Sequence, residues 1–194
     1  MLAMLAMAVP SGTAAAQQPA PPANTGGAAY GVIPAKRAAA PASDAPAAAP
    51  APGSQAVLGS DGYAQPPADA PAEVQEAILA ANEVIGLPYR YGGGHRLPWK
   101  LDKGYDCSGT VSWALHGGGL LRRPLDSSSF LRWGQAGPGQ WITVYTRSSH
   151  AFVVIAGLRL DTSAAGDPSG LKGPRWRPTL RSTRGFKARH PAGL

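Results

Sequence analysis

Along residues 71–162 the spacing of apolar positions changes once, from a helical period to an alternating one. Val74, Ile78, Ala81 and Ile85 recur at three- and four-residue intervals, which predicts a helix over 71–85 with one apolar stripe. Pro71 suits its first turn, and Gly86 and Pro88 stop it. A second helix is expected to start at Cys107, with Val111, Ala114 and Leu115 on the same inward face and Gly117-Gly118-Gly119 at its end. From Gln140 the runs Trp141–Tyr145, Ala151–Ile155 and Leu158–Thr162 are β-branched or aromatic and are separated by short polar or glycine turns, the signature of antiparallel strands. Helices followed by strands predict an α+β fold, the N-terminal helices packing on a C-terminal antiparallel sheet.

The chain ahead of residue 71 follows a different logic. Residues 2–9 form an apolar run and Thr13-Ala14-Ala15-Ala16 offers a small-residue cleavage site, so 1–16 is expected to be a secretory signal peptide. The run is shorter than the roughly 20 residues that span a bilayer as a helix. It has no Lys or Arg before it, which fits a true start lying upstream. Residues 17–70 are dominated by Ala, Pro, Gly, Ser and Gln without periodicity, and such a composition cannot bury enough apolar surface to offset its ordering entropy. A disordered linker over 17–70 and a single folded domain over 71–194 are expected.

Cys107 is the only cysteine in the chain, and export would place it in an oxidising compartment without a disulfide partner. At a helix N-terminus a thiol feels the partial positive charge of unpaired backbone N–H groups, which favours the thiolate. A small buried hydrophobe is the alternative reading. A nucleophile needs a base. His116 lies nine residues further along the same helix, about 13 Å away along the axis and on the other side, which removes it. His95 sits in a glycine-rich loop and His190 in a basic C-terminal stretch, both without evident anchorage. His150 opens the most apolar strand, where a rigid sheet can present it, and is the expected base. Asp161 on the next strand is the candidate for the group that orients the imidazole. A one-residue slip in register would hand that role to Thr162 or leave Asp161 in solvent.

The series Leu87-Pro88-Tyr89-Arg90-Tyr91-Gly92-Gly93, Asp106-Cys107-Ser108-Gly109, Gly139-Gln140-Trp141-Ile142-Thr143-Val144 and Ser149-His150 resembles the NlpC-type cell-wall cysteine peptidases of the papain-like superfamily. The resemblance covers nearly all of 71–194, and its most specific part is the pairing of P-Y-x-[WY]-G-G with D-C-S-G. It implies a papain-like fold, Cys107 as nucleophile, His150 as general base and a polar third residue, with Asp161 falling where the family often carries a second histidine. It further implies Tyr89 beside the oxyanion, and Asp106 and Ser108 as holders of a free substrate amine. Departures from the pattern are the long connection 94–103, Ser149 where glycine is common, and Phe152 in place of a small residue. They suggest altered substrate selection.

The formal net charge is +7, and 171–194 contains Lys172, Arg175, Arg177, Arg181, Arg184, Lys187 and Arg189 with no acidic residue. For an exported protein the anionic cell envelope is the expected partner of this stretch, and nucleic acid is not. No metal-ligand spacing, phosphate loop or dinucleotide fingerprint occurs, so no cofactor is expected. The reading is an exported thiol peptidase that hydrolyses amide bonds in peptidoglycan stem peptides, of the γ-D-glutamyl-diamino acid type, through a thioester. A catalytically silent wall-binding module and a thioester-based acyl transferase are the alternatives.

Overall fold

The computed structural model describes residues 55–178 and 180–194. The signal peptide expected over 1–16, and the linker as far as residue 54, lie outside the described residues. The last part of the expected linker, 55–70, instead joins the folded domain. Strands β1 (Val57–Leu58) and β2 (Ala64–Gln65) form an antiparallel hairpin, and Ala56, Ala64 and Ala70 are buried. Its pairing partners come from far away in the chain. Asn82 receives the Ala64 N–H on Oδ1 at 3.0 Å and donates Nδ2 to the Ala64 carbonyl at 2.8 Å, so a single side chain satisfies a strand backbone. The Ala56 N–H adds a bond to the Ala156 carbonyl at 2.9 Å. A compositional reading misses this hairpin, because Val57, Leu58 and Tyr63 stand among Ala, Pro and Gly and the ordering contacts are non-local.

Helix α1 (Ala72–Asn82) buries Val74, Ile78 and Ala81 of the expected stripe together with Ala77, Pro71 stands at its N-cap, and Ile85 falls in the turn beyond its end, three residues short of the expected length. Helix α2 (Cys107–Gly117) starts at Cys107, and its inward face holds Val111, Ala114 and Leu115. Asp106 caps it in extended backbone (φ −90°, ψ −176°), accepting from the Gly109 N–H at 2.7 Å. The loop before α2 lies on its first turn so closely that a Cβ at Gly109 would collide with the Gly93 carbonyl oxygen. That contact gives the two glycine motifs a shared steric reason. The short helix α3 (Ser127–Phe130) is capped by Asp126, which accepts from the Ser129 N–H at 2.9 Å.

Six strands make the main sheet: β3 (Gln135–Ala136), β4 (Ile142–Arg147), β5 (His150–Ile155), β6 (Leu158–Asp161), β7 (Arg175–Arg177) and β8 (Lys187–His190). Their order is β3-β8-β4-β5-β6-β7, with every neighbour antiparallel. The three expected strands are β4, β5 and β6. The two contributed by the basic stretch, β7 and β8, escape a search for apolar alternation because arginine and lysine fill most of their positions. The β5–β6 turn uses Ala156 (φ +44°) and Gly157 (φ +81°), a two-residue connection of the kind that fits the strand twist. It pairs Val153 with Leu160. Alternation then puts Ala151, Val153, Ile155 and Leu160 on one face, in the core beneath α1 and α2, and His150, Phe152, Arg159 and Asp161 on the other. The architecture is α+β. No helix among the described residues is long and apolar enough to cross a membrane.

Candidate active site

The first residue of α2 and the first residue of β5 meet at one end of the sheet. Cys107 is 8% exposed, and the His150 imidazole and the Ala151 backbone N–H are near enough to its thiol to favour the thiolate. Ser127 Oγ lies 3.6 Å from the sulfur. Burial pushes the Cys107 thiol up. The bonds from His150, Ala151 and Ser127 and the positive charge on the imidazole outweigh it, and the thiol ends below its ordinary range.

His150 Nε2 is 2.9 Å from Asp161 Oδ1. With Nε2 engaged there, Nδ1 is the nitrogen left to face the sulfur. Burial lowers the His150 pKa, but hydrogen bonds and charge from Asp161 and Cys107 dominate and raise it from 6.5 to about 9. Imidazolium and thiolate therefore stabilise each other. Asp161 is almost fully buried, and burial alone would raise its carboxyl. Bonds from His150 and the Ser163 N–H (2.8 Å), with the His150 charge and Arg181, hold it below the usual carboxylate range. Thr162, the alternative third residue, is buried and lines a smaller cavity beside His150.

Asp161 also sits within a cluster of arginines that pattern reading did not find. Arg181 Nη1 donates to its Oδ2 at 3.1 Å, and the buried Arg159 has Nε 3.7 Å from the same oxygen. The guanidinium of Arg159 makes no hydrogen bond among the described residues, so Asp161 is its nearest compensating charge. Arg177 donates Nε to the Asp161 carbonyl at 3.1 Å and pairs with Asp167 at 2.5 Å. Arg181 also covers the rings of Phe152 and Phe186, with its guanidinium carbon 5.3 Å from each centroid. Two arginines of the basic stretch thus serve the interior. Lys172, Arg184 and Lys187 are its exposed members.

A groove of about 610 Å³ runs past Cys107, lined among others by Tyr89, His95, Asp106, Ser108, Asp126 and Ser127. Tyr89 separates it from a cavity of about 260 Å³ that also touches His150, Thr162 and Lys172. Burial and the nearby Cys107 and Asp106 charges raise the Tyr89 hydroxyl above its usual value, and Tyr89 lines the same groove as Cys107. Asp106 and Ser108 are both in the groove, and a histidine stands against both. His95 Nε2 stands 2.9 Å from Asp106 Oδ1 and 3.3 Å from Ser108 Oγ. The histidine that looked unanchored in sequence is thus held inside the groove, by a partner eleven residues on. Ser127 was missed as well. Its sequence context, Asp126-Ser127-Ser128-Ser129, reads only as a cap, and the Thr146 Oγ1 bond to the Ser127 carbonyl (2.6 Å) that fixes it to β4 is long-range. His116 stacks on Trp99 with centroids 4.0 Å apart, away from the thiol.

No protein-family model matches the chain. Probable endopeptidases of Mycobacterium tuberculosis and Mycobacterium bovis are 34% identical to it over 98 residues, 47% of this chain and 24% of theirs. The chain thus aligns with about a quarter of the length of these curated relatives. Among solved structures, the peptidoglycan hydrolase RipB of Mycobacterium tuberculosis superposes with a TM-score of 0.44 at 23% identity, over 61% of this chain and 64% of that one. The resuscitation promoting factor interacting protein RipA gives 0.44 at 22% identity, over 60% and 61%.

Proposed function

The motifs and the curated relatives support an NlpC-type cell-wall peptidase family for this chain, and from that premise we propose that it is an exported cysteine peptidase of papain-like architecture that hydrolyses amide bonds in peptidoglycan stem peptides. The observation that carries the reading is the contiguous Cys107–His150–Asp161 relay, with its thiol shifted down and its imidazole shifted up. A buried structural cysteine has no use for either shift.

In the proposed reaction the Cys107 thiolate attacks the scissile carbonyl carbon. The resulting oxyanion is held by the Cys107 backbone N–H and the Tyr89 hydroxyl. The His150 imidazolium gives its Nδ1 proton to the departing nitrogen, the carbon–nitrogen bond breaks, and an acyl thioester remains on Cys107. Because the proton comes from His150, the leaving amine belongs on the side of the smaller cavity that His150 lines, and the acyl portion in the larger groove. Neutral His150 then takes a proton from water, whose oxygen attacks the thioester and releases the acid and the thiolate. Asp161 holds the ring in one orientation and favours its charged form throughout. A γ-D-glutamyl-diamino acid bond is the substrate that the family resemblance suggests.

The test is incubation of the purified protein with stem peptides and identification of products by mass. Cleavage is expected, and Cys107→Ser is expected to lose at least about a thousandfold in rate with an unchanged circular dichroism spectrum. Absence of cleavage, together with ordinary thiol reactivity at Cys107, would reduce the protein to a wall-binding module. Transfer to an added amine in place of hydrolysis would identify an acyl transferase.

A further inference from the structure

Two carboxylates line the main groove, and they are in different states. Asp106 is 7% exposed and accepts from the Gly109 N–H (2.7 Å) and Ser108 Oγ (3.2 Å) on Oδ1, from the Gly92 N–H (2.9 Å) on Oδ2, and meets His95 Nε2 at 2.9 Å. Three of these partners converge on Oδ1 and the Gly92 N–H holds Oδ2, and His95 stands where an ammonium group approaching Oδ1 would sit. Asp126 is exposed, its oxygens engaged by Ser129 N–H and Oγ at 2.9 Å each.

Facing a carboxylate, His95 Nε2 carries a proton, and Nδ1 makes no hydrogen bond among the described residues. The bond to Asp106 raises the His95 pKa against the opposing effect of burial, with the charges of Asp106, Asp126 and Cys107 adding to the rise. A substrate ammonium approaching Asp106 Oδ1 therefore meets an imidazole N–H already standing on that oxygen. An acceptor, such as an acyl carbonyl or a carboxylate, meets a donor.

We propose that His95 occupies the Asp106 carboxylate in place of a substrate amine, so that the groove takes stem peptides with an acylated amino terminus, His95 Nδ1 bonding an acceptor on the acyl side. This rests on the peptidase reading above. It places the reaction on peptides still joined to other groups through their amino terminus, with no prior hydrolysis by an amidase required.

The experiment compares kcat/KM for two synthetic stem peptides identical except for an acetylated or a free amino terminus. The unmodified protein is expected to favour the acetylated peptide by about tenfold or more. His95→Gln, whose amide N–H still donates to Asp106, is expected to keep that preference. His95→Ala exposes Asp106 and is expected to shift the ratio toward the free amine by about tenfold. Cleavage of both peptides with preference for the free amine, or an unchanged ratio in His95→Ala, would overturn the inference and leave the peptidase reading intact. A free-amine preference abolished by Asp126→Asn would overturn it too, by naming the other carboxylate as the amine site. Cleavage of neither peptide would remove the peptidase reading and this inference together.

Discussion

Replacing Asp161 with asparagine isolates the charge in the relay while retaining an oxygen that can accept from His150. The rise of His150 from 6.5 to about 9 corresponds to roughly 3 kcal/mol in favour of the imidazolium, net of the opposing burial. Asp161 and Cys107 each contribute a hydrogen bond and a charge to that rise. Assigning Asp161 about half gives a loss on the order of 2 kcal/mol, or about 10–100-fold in the equilibrium constant between the thiolate–imidazolium pair and the neutral pair, and up to that factor in kcat/KM near neutrality. A second cost falls on the fold. Arg159 and Arg181 lose the one charge that balances both, and removing a partner from a buried pair typically costs about 3–5 kcal/mol. Asp161→Asn is thus expected to melt well below the parent, and Asp161→His to do worse. The assay pairs thermal melting with the pH dependence of Cys107 alkylation by iodoacetamide, which reads the thiolate without turnover. Asp161→Asn with an unchanged alkylation profile and kcat/KM within about twofold of the parent would refute the role given to the carboxylate.

The pH profile of kcat/KM is expected to be bell-shaped. Its acid limb should lie below the ordinary thiol range, where Cys107 gains its proton, and its alkaline limb should be near pH 9, where His150 loses the one it gives to the leaving nitrogen. An alkaline limb near 6.5 would show that the imidazole is unperturbed. The histidines should separate sharply: His150→Ala is expected to abolish turnover and raise the Cys107 pKa, whereas His116→Ala, which removes a ring stacked on Trp99, should lower the melting temperature and spare kcat/KM. Gly109→Ala, which drives a methyl into the Gly93 carbonyl, should displace the groove loop and sharply reduce activity, measured alongside near-UV circular dichroism. Asn82→Ala strands the Ala64 backbone groups and the Trp176 indole N–H, and should destabilise the domain by about 1–3 kcal/mol in urea unfolding without altering the alkylation profile.

What the sequence made legible is what local pattern encodes. The stripe Val74, Ile78 and Ala81, the inward face from Cys107 to Leu115, and the alternating runs that became β4 to β6 each announce themselves within a dozen residues. The juxtaposition of Cys107, His150 and Asp161 followed from those elements plus the register of one tight hairpin. The features that stayed hidden depend on partners distant in sequence. The first hairpin is ordered by Asn82, which also accepts from Trp176 Nε1 at 2.8 Å, 94 residues away. Arg177 and Arg181 count with the envelope-facing charge in sequence because their carboxylate partners, Asp167 and Asp161, lie 10 and 20 residues off in the chain. His95 looked adrift because nothing in its own glycine-rich loop holds it; Asp106 does.

The buried guanidinium of Arg159 bears on how this protein can change over generations. Its nearest counter-charge is the carboxylate that orients the His150 imidazole, so positions 159 and 161 form a single heritable unit. A lineage that exchanges Asp161 for a neutral residue or a histidine must first, or at the same time, give up Arg159, because the intermediate with arginine alone carries an uncompensated buried cation. Sequences descended from a common ancestor with this chain are therefore expected to keep the acid and the arginine together or lose them together, and a mutational walk that visits position 161 alone should find almost every exit closed.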